Sequence, residues 1–515
     1  MLWLGLHLPL LSLEAFCATL PADQAQRPVA LLEQHQLGPV NAEAVRCGLR
    51  PGLKRATALA LAADLLLGEA APARDAAALQ AVAHAALAFT PAVTAHDAQT
   101  LLLEVQASLR LFGGMAGLRD RLAAAVAPLG HRVLMAASPT ALGAALLAQW
   151  QPADAGDLVL GRHATHLPAL RTLLQAAPLA LLQAGREHAQ TLQGMGLLSL
   201  GELAALPRAG LSRRFGADLL DELDRALGQR PDPRRWLALP ERFESRLELH
   251  TRAENTDQVL HAAAVLLARL VAWAQARQGR IAACTLHMLH ERQRQVLAPP
   301  TVLHLALAEP ALDAAHLQGL LRERLSRATL HAPTLELRLH CADLVPGHAP
   351  NGELFPSAAA QAEGLGRLLE RLRARLGDEQ VQCLVPVADH RPEHSSHQVP
   401  AQSPPSQRPA QLPAHRPAGG VPTLAEPPLP LHRPAWLLPE PLPLAERDAL
   451  PLLQGEALQL LSGPERIEAG WWDGAGVARD YFIAQTRDGS LVWIFRGRLP
   501  SQMGQVNWYL QGRFG

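Results

Sequence analysis

The sequence predicts a multidomain chain of α/β and α+β parts, ending in a disordered linker and a small β-rich C-terminal module. Three observations predict it. Apolar runs alternate between strand and helix periods over residues 80–149, and period-two strands with helices between them return over 242–345. Between these blocks, 170–236 holds short helical patterns broken by glycine turns. After them, 386–452 is too polar and too Pro-rich to build a core, and ordered patterning resumes only beyond it.

Composition narrows the function classes. A chain of 515 residues suggests roughly three or four domains. Apolar residues make up 49% and aromatic residues 4%, so Ala and Leu must fill mostly helical cores. The formal net charge is zero, which leaves no global field to draw DNA or a membrane surface; any nucleic-acid contact must come from local Arg clusters. Lys54 is the sole lysine, a bias expected of a GC-rich genome. Cys17, Cys47, Cys284, Cys341 and Cys383 are odd in number, far apart and without a CxxC pair, which fits reduced thiols in a cytoplasm. The apolar opening lacks a basic n-region and is interrupted by Pro9 and Glu14, so it reads as a strand and helix rather than a signal peptide. No uninterrupted run has the length of a membrane span.

In chain order, "LWLGLHLPLLSLEAF" (2–16) is a short strand running into a helix. "TLLLEVQASLRLFGG" (100–114) has the apolar run and closing glycines of a buried strand that leaves into a turn. "GLRDRLAAAVAPLG" is an amphipathic helix, "HRVLMAAS" a strand, and "PTALGAALLAQW" a helix with Pro near its first position. In 170–236 a Gly-x-Gly turn at Gly194–Gly196 separates two helical patterns. "RFESRLELHT", "RIAACTLHMLHE", "TVLHLAL" and "TLELRLHCADL" alternate as strands of a half-exposed sheet, with helices at 256–278 and 313–327. A helix follows near 357–376. In the tail, Asp488-Gly489 between two apolar runs signals a hairpin.

This order of pieces resembles the Y-family translesion DNA polymerases, and within them the ImuB branch of bacterial inducible-mutagenesis cassettes. "SLGELAALPRAGLSRRFGADLLDELDRALGQRPDP" (199–233) and the tail "SGPERIEAGWWDG…RDYFIAQTRDGSLVWIFR" carry the resemblance most specifically. It implies a palm at 1–19 and 76–169, with a fingers-like helical insertion at 20–75. A helix-hairpin-helix thumb at 170–240 and a little finger at 241–348 come next. A clamp-binding peptide at 349–357 and a helix with its connection at 358–385 complete the polymerase-like part. The linker at 386–452 and a partner-binding module at 453–515 close the chain.

Polymerases of this class hold two magnesium ions on clustered carboxylates, which activate the primer hydroxyl and neutralise the phosphoryl group in transfer. The resemblance places Gly5 and His7 at the first acidic positions and Gln99 and Thr100 at the second pair; none is a carboxylate. Mg²⁺ would lack its anionic oxygens there. Asp97 and Glu104 lie close in sequence, but strand alternation would point them differently. The triphosphate positions are stripped as well: Ala42 and Val45 stand in the fingers, Thr140 and Ala144 in the palm. The chain therefore reads as a pseudo-polymerase with no catalytic residues, no metal and no cofactor.

Binding features remain. The Gly194–Gly196 turn would offer backbone N–H groups to phosphate without reading sequence. Arg213, Arg214, Arg277, Arg280, Arg292 and Arg294 would add phosphate contacts or simply solvate exposed faces. "PNGELFPS" (350–357) resembles the Gln-x-x-Leu-Phe peptides that bind the bacterial sliding clamp, with Asn351 in place of Gln and Leu354 and Phe355 as apolar anchors. The competing reading is a local cap on the following helix. Trp471 and Trp472 suit a hot spot for the cassette partners that the resemblance implies, a RecA-like ImuA protein and a DnaE-type polymerase, ImuC. Their alternative is a core role in the tail. The pairs His163/His166 and His287/His290 lack companion ligands and are not read as a zinc site.

The expectation is a cytoplasmic, nucleoid-associated hub of damage tolerance, with weak primer-template binding and no membrane. An active polymerase with rearranged acids, and a scaffold with no DNA role, are the alternatives.

Overall fold

The computed structural model describes residues 1–24, 26–150, 162–291, 299–346, 358–401, 433–498 and 507–515, with the side chains of 308 and 358–363 excepted. Two compact units result, Met1–Arg375 and Leu376–Gly515.

The first unit opens with β1 (Trp3–His7) and α1 (Leu11–Cys17). An insertion follows, made of β2 (Val29–Glu33), β3 (Gln36–Val40), α2 (Ala42–Arg46), α3 (Arg55–Leu61) and β4 (Leu66–Glu69). Then come α4 (Pro72–Leu87), β5 (Val93–Ala95), β6 (Thr100–Glu104), α5 (Met115–Val126), β7 (Leu134–Ser138) and α6 (Ala141–Gln149). The first sheet runs β5-β6-β1-β7, with every pairing antiparallel.

Its runs are nearly all apolar because helices cover both faces, and residue parity assigns each side chain to a face. Leu4, Leu6, Leu101, Leu103, Met135 and Ala137 pack with α4 and α5. Trp3, Leu102 and Ala136 pack with α6 and the helices beyond it. β6 stops at Glu104, and 106–114 turns back so that Phe112 lies on Phe89, ring centroids 5.1 Å apart.

The insertion was expected to be helical, and the structure corrects this. It contains a three-stranded sheet, β3-β2-β4, beside two short helices. The β2–β3 turn places Gln34 and His35 at positive φ without the Gly or Asn that normally marks such a turn.

Six short helices form the next layer: α7 (Leu167–Gln175), α8 (Gln183–Glu187), α9 (Ala189–Gly194), α10 (Leu200–Ala204), α11 (Arg208–Phe215) and α12 (Asp218–Ala226). They share one core with α6, through Leu170, Leu192, Leu203, Phe215 and Leu223. Residues 229–240 then run along the β5 edge of the first sheet. Leu237 donates its N–H to Val93 O at 2.8 Å, and Trp236 stacks on Trp3 at 5.8 Å.

The α+β block is β8 (Phe243–Ala253), α13 (Thr256–Ala276), β9 (Gly279–His290), β10 (Thr301–Ala311), α14 (Ala314–Arg327) and β11 (Thr334–Pro346), with sheet order β10-β9-β11-β8. Contrary to the sequence expectation, α13 is long and apolar enough to cross a membrane by length and composition. Its apolar stripe is instead spent on the core, where Val259, Leu266, Leu270 and Trp273 are fully buried. α15 (Ala358–Leu376) adds Ala374 to the same core.

The second unit holds a hairpin of β12 (Gln382–Pro386) and β13 (Ser396–Pro400). A seven-stranded sheet follows: β14 (Trp436–Arg447), β15 (Leu450–Leu453), β16 (Glu456–Ala457), β17 (Gln459–Ala469), β18 (Val477–Gln485), β19 (Leu491–Gly497) and β20 (Trp508–Arg513), in the order β16-β15-β14-β20-β19-β18-β17. The hairpin at Asp488-Gly489 forms between β18 and β19. The linker read at 386–452 is ordered at both ends: β13 lies in it, and β14 is an interior strand of the sheet. Pro439 and Pro441 sit where the β14–β20 register shifts between Leu437 and Leu442, so their missing N–H groups interrupt no ladder bond. The middle of that segment, 402–432, lies outside the described residues.

Candidate functional site

The β1–β6 register sets His7 opposite Thr100 at the open end of the first sheet, just past the last turn of α6. His7 Nδ1 lies 3.0 Å from Thr100 Oγ1. Gln149, the last residue of α6, donates from Nε2 to Thr100 Oγ1 at 3.2 Å and to Asp97 Oδ2 at 3.0 Å. Asp97 Oδ1 accepts the Gln99 N–H at 2.8 Å, closing the turn between β5 and β6. Burial lowers the His7 pKa, and the nearby Asp97 charge only partly opposes this, which favours a neutral imidazole.

The chemistry of this donor set is poor for a hard divalent cation. It offers an imidazole, a hydroxyl, an amide and one exposed carboxylate. Glu104 does not help. It pairs with Trp3 at the opposite end of β1, about 13 Å along the strand from Thr100 at ~3.3 Å per residue. Asp97 and Glu104 are thus separated by distance along the strand, not by alternation as the sequence suggested. Among the described residues, no three His, Cys, Asp or Glu side chains gather as a metal site.

Gly5 is corrected by the structure. It shares a face with His7 but lies beneath α6, where an added Cβ would stand 2.4 Å from Ala144 O. Ala144 is fully buried on the same contact. The pair is a helix-on-strand packing point, and neither position opens to a nucleotide or metal. Thr140 is also committed: its Oγ1 caps α6 at Gly143 N, 3.1 Å, and donates to Ala226 O of α12 at 2.8 Å. Ala42 and Val45 are exposed on α2, the helix whose N-cap Asn41 accepts from Ala44 N.

The nucleic-acid candidates fall on separate elements. α9 ends at Gly194, Gly196 takes φ +77°, and Ser199 starts α10 with a capping box to Glu202. This is a helix–turn–helix with its tip exposed. Arg213 and Arg214 are exposed in the last turn of α11, and Arg280 is half-buried in β9. Arg292 and Arg294 lie outside the described residues, as do Asn351, Leu354 and Phe355 of the clamp-like peptide.

Three of the four paired histidines make local contacts. His166 caps α7 by accepting from Ala169 N at 3.2 Å. His290 bonds Thr301 and Thr334, while His287 stands edge-on to His340, ring centroids 5.1 Å apart.

In the second unit, Trp471 is 82% and Trp472 54% exposed in the turn between β17 and β18, rings edge to face at 5.5 Å. The core positions belong to Trp493 and Trp508. The residues missed from sequence are those that hold the turn. Arg391 is buried, bonds Asp389 Oδ2 at 2.7 Å and Asp473 Oδ2 at 2.6 Å, and lies 5.6 Å over the Trp472 ring. Hydrogen bonds from Arg391 hold the Asp389 carboxyl down at about 2. Only the "WWD" triplet hinted at this, since Arg391 is distant in sequence.

No protein-family model matches the chain. Among curated proteins, Protein ImuB of Caulobacter vibrioides, in strain NA1000 / CB15N, is 30% identical over 480 residues, covering 91% of this chain and all of that protein. The same protein in strain ATCC 19089 / CB 15 matches equally. Among solved structures, a Dbh ternary complex aligns over 67% of this chain and 100% of its own, at 14% identity and TM-score 0.37. DinB from Sulfolobus solfataricus aligns over 67% and 99%, at 15% identity and TM-score 0.36. With the full length of a 30%-identical relative matched, the chain belongs to the ImuB family.

Proposed function

We propose that this protein is a non-catalytic member of its family, acting as a hub for translesion synthesis and damage-induced mutagenesis on the nucleoid. The observation that carries the reading is the His7–Thr100 hydrogen bond at the end of the first sheet. Two metal-ligand positions implied by the resemblance bond each other through neutral groups, and only Asp97 stands by.

The hub grips the sliding clamp through Asn351, Leu354 and Phe355. It holds primer-template DNA weakly, through the α9–α10 turn and Arg213, Arg214 and Arg280. It presents Trp471 and Trp472 to a separate error-prone DnaE-type polymerase or to the RecA-like cassette protein. Linked modules raise one another's effective concentration, so weak individual contacts suffice.

The test is capture of the full chain by its sliding clamp, with Leu354→Ala/Phe355→Ala as comparison. Loss of capture supports the hub; undiminished capture removes the clamp contact from it. The reading as an active polymerase through Asp97 rests on the single carboxylate beside Thr100. The scaffold reading predicts no salt-sensitive affinity for primer-template DNA.

A further inference from the structure

A cavity lies in the first unit, away from the His7 site. It measures about 610 Å³ and is walled by the end of α1, β4, the start of α4, the sheet-edge strand β8 and α13. Neither His7, Gln99 nor Thr100 lines it. Its size suits a nucleotide-sized ligand.

Its charged wall is unusual. Arg269 is 4% exposed, and its Nη1 bonds only Ser245 Oγ at 3.2 Å and Arg246 O at 3.4 Å. Among the described residues no carboxylate pairs with it. Burying a guanidinium without a counter-charge is costly unless an anion completes the site. Burial lowers its pKa to about 10, so it remains charged at neutral pH.

Two further guanidiniums face the same space. Arg246 on β8 is exposed and has no ion-pair partner among the described residues. Arg74 donates from Nη2 to Glu69 O at 2.8 Å, pairs through Nε with Asp75 at 3.7 Å and lies 5.3 Å over the Phe16 ring, so its charge is partly compensated. Arg74 also lies in the first turn of α4, a sixteen-residue helix whose N-terminus has no side-chain cap and opens on the cavity. The helix dipole favours an anion there, in competition with Asp75 of the same turn. Glu69 and Glu248 line the cavity too, so three guanidiniums face two carboxylates besides the Asp75 paired to Arg74, and the buried, uncompensated charge is that of Arg269. Phe16, buried at the end of α1, supplies an apolar wall.

We propose that this cavity is a binding site for a phosphate-bearing anion of nucleotide size, held by Arg74, Arg246, Arg269 and the α4 N-terminus. The ligand would bridge the insertion and palm on one side to the α+β block on the other, and would fix their mutual position. The phosphate could come from a free nucleotide or from a DNA strand. The proposal is independent of the hub reading.

The experiment uses the full chain. Calorimetric titration with pyrophosphate and with dATP tests the free-anion source. Fluorescence anisotropy with a 5′-phosphorylated single-stranded oligonucleotide tests the strand source. Arg246→Glu lies on an exposed side chain and should leave the melting temperature unchanged while weakening binding roughly tenfold or more. Arg269→Gln should act in the same direction. Binding of either probe class with this sensitivity supports the site and identifies its source. Absence of binding by all three probes overturns it. So does binding that ignores Arg246→Glu and Arg269→Gln, or that is lost instead in His7→Ala.

Discussion

His7 and Thr100 face each other across β1 and β6, Nδ1 to Oγ1 at 3.0 Å, and Gln149 ties Thr100 to Asp97. Neutral groups thus satisfy one another where acidic ones would repel until a cation arrived. Replacing them reverses that balance. His7→Asp/Thr100→Glu should raise Mn²⁺ affinity roughly tenfold or more, because paired carboxylates supply anionic oxygen ligands. Electron paramagnetic resonance of free Mn²⁺ during titration reads this directly.

Gly5 has a different duty from His7. Its missing side chain lets α6 lie on β1, with Ala144 O where a Cβ would be. Gly5→Ala should destabilise the first unit by about 1–3 kcal/mol through backbone displacement. Thermal melting measures it. The proposed salt-sensitive DNA binding, which is assigned to other elements, should persist at temperatures below the new transition.

His84 on α4 is buried, and burial alone lowers its pKa to about 4. The unfolded chain therefore binds this proton first as pH falls. Stability is full above pH ~6.5 and declines toward pH ~4, by up to about 3 kcal/mol. His7, His96 and His290 shift in the same direction. The drop in melting temperature between pH 7 and pH 5 should be smaller in His84→Leu than in the parent chain.

Arg391 joins Asp389 to Asp473 and backs Trp472. Arg391→Met leaves two carboxylates facing each other and should lower the melting temperature of the second unit. Trp471→Ala/Trp472→Ala removes only exposed rings, so melting should stay within about 0.5 kcal/mol of the parent. The same double variant should weaken capture of the proposed partner polymerase roughly tenfold. Comparing the two variants separates loss of the platform from loss of the contact.

What the sequence disclosed follows from where each constraint lies. The strands of the first sheet were legible because helices on both faces demand unbroken apolar runs. The resemblance named His7, Gln99 and Thr100 together, and the fold sets His7 opposite Thr100 across β1 and β6. Gly5 was misplaced because its role depends on α6, which returns over β1 from far along the chain. Asp97 and Glu104 looked close because sequence proximity hides the length of an extended strand. The β2–β3 hairpin turns on Gln34 and His35, which carry no turn signature. β14 was hidden by its prolines, which fall where register with β20 slips. Arg391 could not be paired with Asp473 without the fold.

The most direct measurement is primer extension by the full chain on a primed template, with Mg²⁺ and with Mn²⁺. The account predicts no template-directed nucleotide addition with either ion, while salt-sensitive binding of the same primer-template is retained. Robust addition that Asp97→Asn abolishes would contradict it, and would make the carboxylate beside Thr100 a metal ligand after all.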